Sequence, residues 1–560
     1  FRRDVLPELV GTVGLLVVDE AHCISDWGHD FRPDYRRIRT AIASLAPGIP
    51  VLATTATANA RVCDDVAVQL GDDVVVLRGP LDRESLHLGV VRLPSMAERL
   101  AWLAQRIPAM AGTGIVYCLT VAQTTLVAGF LRSRGIDAAD YSSQTPADER
   151  ASLEAAFLAN EVKVLVATSA LGMGVDKPDV AFVCHLGAPP SPIAYYQQVG
   201  RAGRSLERAE AWLLPGQDDQ RIWEWFTAVG LPDERLVRRV LEGVGASAGE
   251  PVGLAELERA VDLRRTRLET VLKILDVDGA VARVDGGWVS TGSPWTYDNE
   301  RVARVRAARD AEAAAMIVYS APGAGCLMAQ LREALDDPHS SACGRCSVCR
   351  GSGDPVALDP EVVADAVRHL RAVDVVVEPR RQWPRGRATP KGNIGADNRA
   401  DEGRALCRVD DAGWWPAVSA ALAAGRVDDE LLSGVAATLK RWPWSMRPTW
   451  VTWVPSHANG HLLGDLAERL GALGGLSVAA TIATTRAGPS PPPAENASHR
   501  FDQVWGAFTI EADALPPAAR DGPALVLDDR LDTGWTMTVV AALLRRAGAP
   551  AVLPFVLARR

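Results

Sequence analysis

Gly14-Leu15-Leu16-Val17-Val18-Asp19-Glu20-Ala21-His22 is an apolar run that stops at two carboxylates and an imidazole. Consecutive branched aliphatic residues bounded by polar ones fit a strand covered on both faces, the kind found in parallel sheets. In an α/β sheet the carboxyl ends of the strands face the ligand crevice, which puts Asp19 and Glu20 there. Adjacent acids at that place suit nucleotide chemistry: Asp19 holding Mg²⁺ through water, Glu20 positioning or deprotonating an attacking water. Taken alone, the same residues read better as a solvated strand-end turn.

The pattern recurs outward. Residues 50–58, 114–118, 162–168 and 180–185 are further apolar runs, and helical stretches such as 121–134 and 146–160 lie between them. Strands alternating with helices predict a parallel α/β sheet. A boundary near 78–82 separates a first lobe, residues 1–78, from a second, 79–228. Residues 229–298 change character. Short helices at 235–244, 254–261 and 264–275 precede a hairpin at 280–289 whose tip is Asp285-Gly286-Gly287. Three helices and a hairpin are the order of a winged helix. Arg264, Arg265 and Arg267 open the third helix, where a recognition helix meets phosphates or a major groove; an ordinary helix with exposed arginines is the plainer reading. A basic helix at 299–309 opens the segment 299–352. Residues 353–430 form a connecting region with a Pro/Arg/Gly-rich linker at 378–391. Residues 431–560 return to strand–helix alternation.

Among 560 residues 48% are hydrophobic and 23% charged, which excludes a disordered chain. No apolar run reaches the roughly 18 residues of a membrane span. The net charge of -9 argues against a uniformly basic surface but leaves room for a local basic channel. Nine cysteines are too few for a disulfide scaffold, and four of them, Cys326, Cys343, Cys346 and Cys349, crowd together as C-x16-C-x2-C-x2-C. Four thiolates fit one tetrahedral Zn²⁺ in a reducing compartment, and the tight triplet lies in a turn that can wrap an ion. The alternative is four buried free thiols. His339 is a spare donor that reads as a surface loop residue.

Residues 19–35, DEAHCISDWGHDFRPDY, resemble the RecQ family of ATP-dependent DNA helicases. The resemblance implies that Trp27, Phe31 and Arg32 belong to a loop that senses single-stranded DNA. Aromatic faces stack on any base, worth about 1–3 kcal/mol each. Asp26 stands where the family usually has Gln. Further motifs follow in family order. Thr55-Ala56-Thr57-Ala58 looks like the motif that links hydrolysis to strand separation. Asp82-Arg83 opens the second lobe, although Glu84-Ser85 replace the usual Pro-Asn. Tyr141-Ser142-Ser143-Gln144 departs from Tyr-His-Ala-Gly. The stretch from Ala167 to Pro178 is a close match; it implies a DNA contact at Thr168, close ligand approach at Gly174 and a ribose contact from Asp176. Tyr195 to Arg204 matches the last helicase motif, with Gln197 at the nucleotide, Arg204 as arginine finger and Arg201 as its phosphate-binding partner. Asp19, Glu20 and His22 complete the implied catalytic set.

A RecQ-like engine also needs a Gly-rich phosphate loop with Lys-Ser/Thr ahead of the acidic box. None precedes Asp19, and the chain opens on Phe1. The expectation is an N-terminally truncated helicase that binds ATP poorly and hydrolyses none by itself. The four-cysteine segment is similar to the family's zinc module, although in many RecQ-like proteins the winged helix follows that module.

The tail carries another motif. Residues 524–536 read as a buried strand, two carboxylates, a turn and a helix start. Asp528 and Asp529 can hold ribose hydroxyls, and the loop with Thr533, Gly534 and Thr536 offers N–H groups and hydroxyls to a 5-phosphate. This resembles the phosphoribosyl-pyrophosphate loop of type I phosphoribosyltransferases, particularly the ComF-like group, with Arg530 and Trp535 as departures. A binding domain without catalysis is an equal reading.

The expected architecture is multidomain α/β: RecA-like helicase lobes with the first incomplete, a winged helix, a four-cysteine zinc module and a phosphoribosyltransferase-like domain. The expected function is a bacterial-type 3′→5′ DNA helicase acting in repair and recombination. Its cofactors are ATP with Mg²⁺, Zn²⁺ and in the tail phosphoribosyl pyrophosphate. Its partner is DNA, single-stranded and at duplex junctions, in a cytoplasmic, nucleoid-associated setting without a membrane. The alternatives are a DNA-binding regulator that kept the fold without turnover, and a DNA-tethered phosphoribosyltransferase.

Overall fold

β1 (Leu16–Val18) and β2 (Val51–Ala53) pair in parallel, Val17 opposite Leu52, as two of the apolar runs predict. The computed structural model describes residues 13–24, 42, 48–71, 74–79, 81–171, 176–230, 232–246, 249–261, 263, 265–337, 341–351, 357–384, 389–456, 459–485, 497–511 and 515–560. The chain divides into two compact units. One comprises Phe1–Gly245, Glu269–Val284 and Val289–Ala366; the other comprises Ala246–Leu268, Asp285–Trp288 and Val367–Arg560. No helix among the described residues is long and apolar enough to cross a membrane.

In the first unit, helix α1 (Ala60–Leu70) covers the β1–β2 pair. Asn59 caps it by accepting from the Val62 N–H, and Val62 and Val66 pack on Val18, Ala21 and Ile24. A six-stranded parallel sheet follows: β3 (Leu86–Val90), β4 (Thr113–Cys118), β5 (Ala138–Tyr141), β6 (Val164–Ala167), β7 (Val180–Leu186) and β8 (Ala209–Leu214), in the order β3-β8-β7-β4-β6-β5. β4, β6 and β7 are buried throughout, which is why their runs were readable. β3, β5 and β8 hide their pattern behind His87, Asp140 and Glu210. Glu210 is tolerated because Arg106 pairs with it at 2.9 Å and the Trp212 indole donates to it at 2.9 Å. Helices α2 (Met96–Arg106) and α3 (Val121–Ser133) open with capping boxes, Ser95 with Glu98 and Thr120 with Gln123. Helix α4 (Ala147–Leu158) follows β5, and α5 (Pro192–Val199) starts on Ser191, whose hydroxyl accepts from the Ala194 N–H.

Helix α6 (Glu234–Gly245), α7 (Leu254–Val261), α8 (Arg265–Val277) and the hairpin β9 (Val281–Val284) with β10 (Gly287–Ser290) come in the order the sequence predicts. Leu268, Val271, Leu272 and Leu275 are all buried. Helix α9 (Asn299–Ser320) runs well past residue 309, and α10 (Leu327–Glu333) follows. Both share the core of the six-stranded sheet: Met316, Tyr319, Leu327, Met328, Leu331 and Cys346 join Tyr195 and Val199 in one cluster. The segment read as a separate module is thus continuous with the second lobe. It also meets α1, through an Arg61–Glu312 ion pair at 3.3 Å and the Ala60 N–H donating to Asp336 at 2.7 Å. Burial pushes the Glu312 carboxyl up to about 7, opposed by the charge of Arg61.

The second unit holds another six-stranded sheet: β11 (Val375–Val377), β12 (Gly403–Arg408), β13 (Trp450–Trp453), β14 (Ser477–Val478), β17 (Ala524–Leu531) and β18 (Val552–Arg559), ordered β11-β12-β18-β17-β13-β14. Only β11 is antiparallel. β15 (Ile482–Thr484) and β16 (Phe508–Ile510) form a separate antiparallel pair. Helices α11 (Gly460–Gly474) and α12 (Trp535–Arg546) follow β13 and β17. β11 and β12 lie ahead of the predicted boundary at 431 yet belong to this sheet. The stretch read as linker is anchored: Trp383 is buried against Phe501, Trp505 and Trp535. Short strands interrupted by Pro and Arg carried too little periodicity to be recognised.

Candidate nucleotide, metal and nucleic-acid sites

β1 delivers Asp19 and Glu20 to the turn at its carboxyl end, and β2 delivers Thr54 and Thr55 beside them. The Thr54 hydroxyl donates to Asp19 Oδ1 at 2.8 Å, and the Glu20 N–H donates to the same oxygen at 2.9 Å. These two bonds, Thr54 first, hold the Asp19 carboxyl below its ordinary range. Glu20 takes a left-handed conformation, φ 50 and ψ 46, which costs a non-glycine residue roughly 1–3 kcal/mol and is typical of functional turns. The turn is pinned by the Ala21 N–H donating to the Thr54 carbonyl at 2.9 Å. His22 is buried, with Nδ1 3.1 Å from Thr55 Oγ1 and 3.3 Å from Glu20 Oε2. Asp19, Glu20 and His22 therefore come together as the sequence predicts. Thr54, one residue ahead of the recognised motif, is the partner that reading missed. Trp27, Phe31 and Arg32 lie outside the described residues.

In the second lobe, Arg204 pairs with Asp176 at 2.6 Å, both side chains largely exposed. An exposed pair contributes about 0–1 kcal/mol, so either partner is free to exchange for a ligand at little cost. Arg201 lies beside the buried Tyr117 phenol, which burial pushes up to about 12 against the pull of that guanidinium. Gln197 sits half-buried on α5. Its neighbour Gln198 accepts through Oε1, at 2.8 Å, from Nε2 of His185, whose imidazole burial pulls down to about 4. Thr168 is buried at the end of β6, its hydroxyl accepting from the Ala170 N–H at 3.3 Å; Gly174 lies outside the described residues. Two residues that motif reading noticed without a role fix the arginine turn. Arg83 donates to the carbonyls of Gly200 and Ala202 at 3.2 and 3.1 Å, and Ser85 donates to that of Gly203 at 2.8 Å. Gly203 has φ +66, and a Cβ there would stand 2.7 Å from Ser85 Oγ, so only glycine fits.

The four cysteines converge: the Sγ atoms of Cys326, Cys343, Cys346 and Cys349 all lie within 4.8 Å of one another. A tetrahedral Zn²⁺ with bonds of about 2.3 Å would draw them to roughly 3.8 Å apart. Backbone N–H groups already aim at the sulfurs. Cys343 and Ala329 donate to Cys326 at 3.2 and 3.5 Å, Cys346 donates to Cys343 at 3.3 Å, and Cys349 donates to Cys346 at 3.4 Å. Burial raises the Cys326 thiol, but those N–H groups outweigh it and bring it to about 7. The donor set fits a metal. His339 and Arg264 lie outside the described residues; Arg265 is exposed at the start of α8, and Arg267 is half-buried.

In the second unit, the chain leaves β13 for β14 on one side and later returns to β17 on the other. The crevice between β13 and β17 is therefore a topological switch point, where open α/β sheets take ligands. Asp528 and Asp529 end up there, and the Asn459 amide, from the loop after β13, donates to Asp529 at 2.6 Å. Burial, then the adjacent Asp529 charge, pushes the Asp528 carboxyl well above the ordinary range. Gly534 is left-handed, φ 77, and caps α12; Thr533 and Thr536 flank it, half-buried. Arg380 donates to the Thr533 carbonyl through Nε at 2.7 Å and covers the Trp535 ring at 4.1 Å, a contact the linker reading did not foresee.

The acidic turn and the arginine turn each sit beside the strands of a parallel sheet. Residues 3–66 match the model of the DEAD/DEAH box helicase domain, and residues 99–205 match that of the helicase conserved C-terminal domain. Over roughly a third to two fifths of its length the chain is similar to ATP-dependent DNA helicases. It is 34% identical over 237 residues to the ATP-dependent DNA helicase RecQ of Pasteurella multocida, covering 42% of this chain and 37% of that one. A Bacillus subtilis protein described as the ATP-dependent DNA helicase RecS is 37% identical over 215 residues, 38% of this chain and 43% of its own. The ATP-dependent helicase wrn-1 of Caenorhabditis elegans is 39% identical over 203 residues, 34% of this chain and 19% of its own. The chain thus spans less than half the length of the curated relatives it matches.

Replacing Thr54 with Val removes the main donor to Asp19, so the Asp19 carboxyl rises toward its ordinary value. Carbon-detected NMR titration of the Asp19 carboxyl checks this, and an unchanged midpoint would show that the Thr54 bond is not what depresses it.

Proposed function

We propose that this chain carries the motor of an ATP-dependent 3′→5′ DNA helicase of the RecQ type, acting on single-stranded DNA and duplex junctions in repair and recombination. The observation that carries the reading is the hydrogen-bonded joint of Asp19 to Thr54 and His22 to Thr55. It ties the acidic turn to the next strand's end, so a change at one is felt at the other. In this reading Glu20 orients and deprotonates the attacking water, and Asp19 is the residue that would hold Mg²⁺. The ion supplies charge neutralisation at the phosphates. Arg204 leaves Asp176 for the γ-phosphate, Arg201 binds beside it, and Gln197 and Asp176 contact the nucleotide. Preorganised charges of this kind are the main catalytic resource in phosphoryl transfer. Closure on ATP and opening after hydrolysis would step the lobes along one strand, with Thr168 and the loop of Trp27, Phe31 and Arg32 on the DNA. The segment with Arg264, Arg265 and Arg267 would act as a winged helix on the duplex. A form of the protein that includes a phosphate loop ahead of Asp19 tests the motor. Its Glu20→Gln form should lose DNA-stimulated ATP turnover at least a hundredfold while single-strand affinity stays within about twofold. Surviving turnover would remove Glu20 from its role.

The thiol geometry supports one structural Zn²⁺. Elemental analysis of the purified chain should give one zinc per molecule, and Cys346→Ser should bring it close to zero together with a fall in melting temperature. A metal-free wild-type chain that melts cooperatively would contradict the assignment.

A second reading concerns the tail alone. The switch-point crevice with Asp528, Asp529 and the Thr533–Gly534 turn favours a phosphoribosyl-pyrophosphate site, and Arg380 supplies a cation at its rim. Calorimetric titration of phosphoribosyl pyrophosphate with Mg²⁺ into the whole chain should give heat that Asp529→Asn abolishes. No heat at millimolar ligand would dismiss the reading.

A further inference from the structure

The second unit holds a cavity away from the sites above. It measures about 410 Å³, within the roughly 300–1,000 Å³ of small-molecule sites. Arg381, Arg399 and Arg545 line it together with Asp401 and Glu402. Asp401 fixes its place on the sheet. The Asp401 N–H donates to the Val552 carbonyl at 2.9 Å, and the Val552 N–H donates back to Asp401 Oδ2 at 3.1 Å. Val552 opens β18 and lies opposite Ala524, which opens β17. The cavity therefore stands at the amino ends of these strands, whereas Asp529 and the Thr533–Gly534 turn lie toward the carboxyl end of β17 and beyond it.

Its walls are pinned. The Ile394 N–H donates to the Arg381 carbonyl at 2.8 Å, Arg545 Nη2 donates to the Ala396 carbonyl at 2.9 Å, and Arg546 Nε donates to Asn398 Oδ1 at 2.7 Å. Residues 396–401 are thus tied to the end of α12 on one side and to the start of β18 on the other. The lining acids are engaged as well, Asp401 by the Val552 N–H and Glu402 by Arg404 at 2.6 Å. Glu378 and Asp397, each next in sequence to a lining residue, are exposed and do not line the cavity. Arg381 is exposed and Arg399 half-buried, and neither side chain makes a hydrogen bond or ion pair among the described residues. In charge, Arg404 offsets Glu402 and Arg545 offsets Asp401. The guanidiniums of Arg381 and Arg399 are left without a counterpart in the lining.

We propose that this cavity binds a phosphate dianion, free or at the end of a small organic molecule, with Arg381 and Arg399 as its clamp. A phosphomonoester carries about −1.5 to −2 at neutral pH, which matches the two uncommitted cations; a carboxylate or a phosphodiester carries only a single charge. Guanidinium forks present paired N–H groups to phosphate oxygens. The site goes beyond both the helicase and the phosphoribosyl-pyrophosphate readings and depends on neither.

The test is calorimetric titration of inorganic phosphate, and separately of adenosine 5′-monophosphate, into the whole chain without Mg²⁺. Both should bind at millimolar ligand, and the Arg381→Gln, Arg399→Gln double variant should bind about tenfold or more weakly. Melting temperature verifies that the variant is folded; if it is not, Arg399→Gln alone takes its place. Asp529→Asn should leave the affinity unchanged. Tighter binding of the nucleotide than of phosphate identifies an organic phosphate as the ligand, and equal binding identifies free phosphate. A wild-type chain that binds neither, or binding that the double variant retains, would overturn the site. Loss of binding in Asp529→Asn would move the phosphate to the other rim, overturning this site while supporting the phosphoribosyl-pyrophosphate reading. A labelled single-stranded oligonucleotide that binds through these arginines when neither small phosphate does would overturn it in favour of nucleic acid.

Discussion

Parallel pairing puts the carboxyl end of every strand on one rim, and the functional groups of this chain depend on that constraint. Asp19 and Thr54 meet because β1 and β2 run side by side in the same direction with Val18 opposite Ala53, which leaves the next residues of both strands adjacent. The same rule sets Thr168 beyond β6 and brings Asp529 within reach of Asn459 beyond β13. An antiparallel pair would send one of these groups to the far edge. The chemistry is therefore as local as a hydrogen bond, while the condition for it is a property of whole sheets.

The second lobe joins its arginine turn to the cysteine cluster through buried rings. Tyr117 stacks on His185 at 5.2 Å, His185 meets Tyr195 edge-on at 4.8 Å, and Tyr195 meets Tyr319 of α9 at 5.4 Å. All four side chains are buried, and aromatic contacts of this geometry add about 0.5–1.5 kcal/mol each beyond their area. Tyr117 ends beside Arg201, and Tyr319 ends close enough to Cys326 and Cys346 to feel their charge. The four-cysteine segment shares the core of the lobe, with Cys346, Tyr319 and Val199 of α5 in one cluster.

Charge is distributed with the same economy. The net charge of -9 hides arginines that are committed: Arg83 to carbonyls, Arg106 to Glu210, Arg345 to Asp82, Arg380 to Thr533. Arg204 differs because its partner Asp176 is exposed and the pair is weak. Composition alone could not have separated these groups, since commitment depends on which acid arrives first in space.

Much of this was legible in the residues themselves. Runs such as 114–118 and 180–185 announce buried strands because both their faces are covered, so every side chain must be apolar. The four cysteines are a short-range pattern whose chemistry follows from spacing, while Asp19, Glu20 and the Gly200–Arg204 turn were singled out by the family resemblance of their motifs. Strands such as β3, β8, β11 and β12 were not legible: edge positions and buried salt bridges admit His87, Glu210 and Arg404, which break the periodicity. What only the tertiary structure decided is partnership across long separations. Thr54 with Asp19, Ser85 with Gly203 and Trp383 with Trp535 are each set by which elements the core brings side by side. Burial energy acts on whole faces, and no local stretch of sequence records which face it will meet.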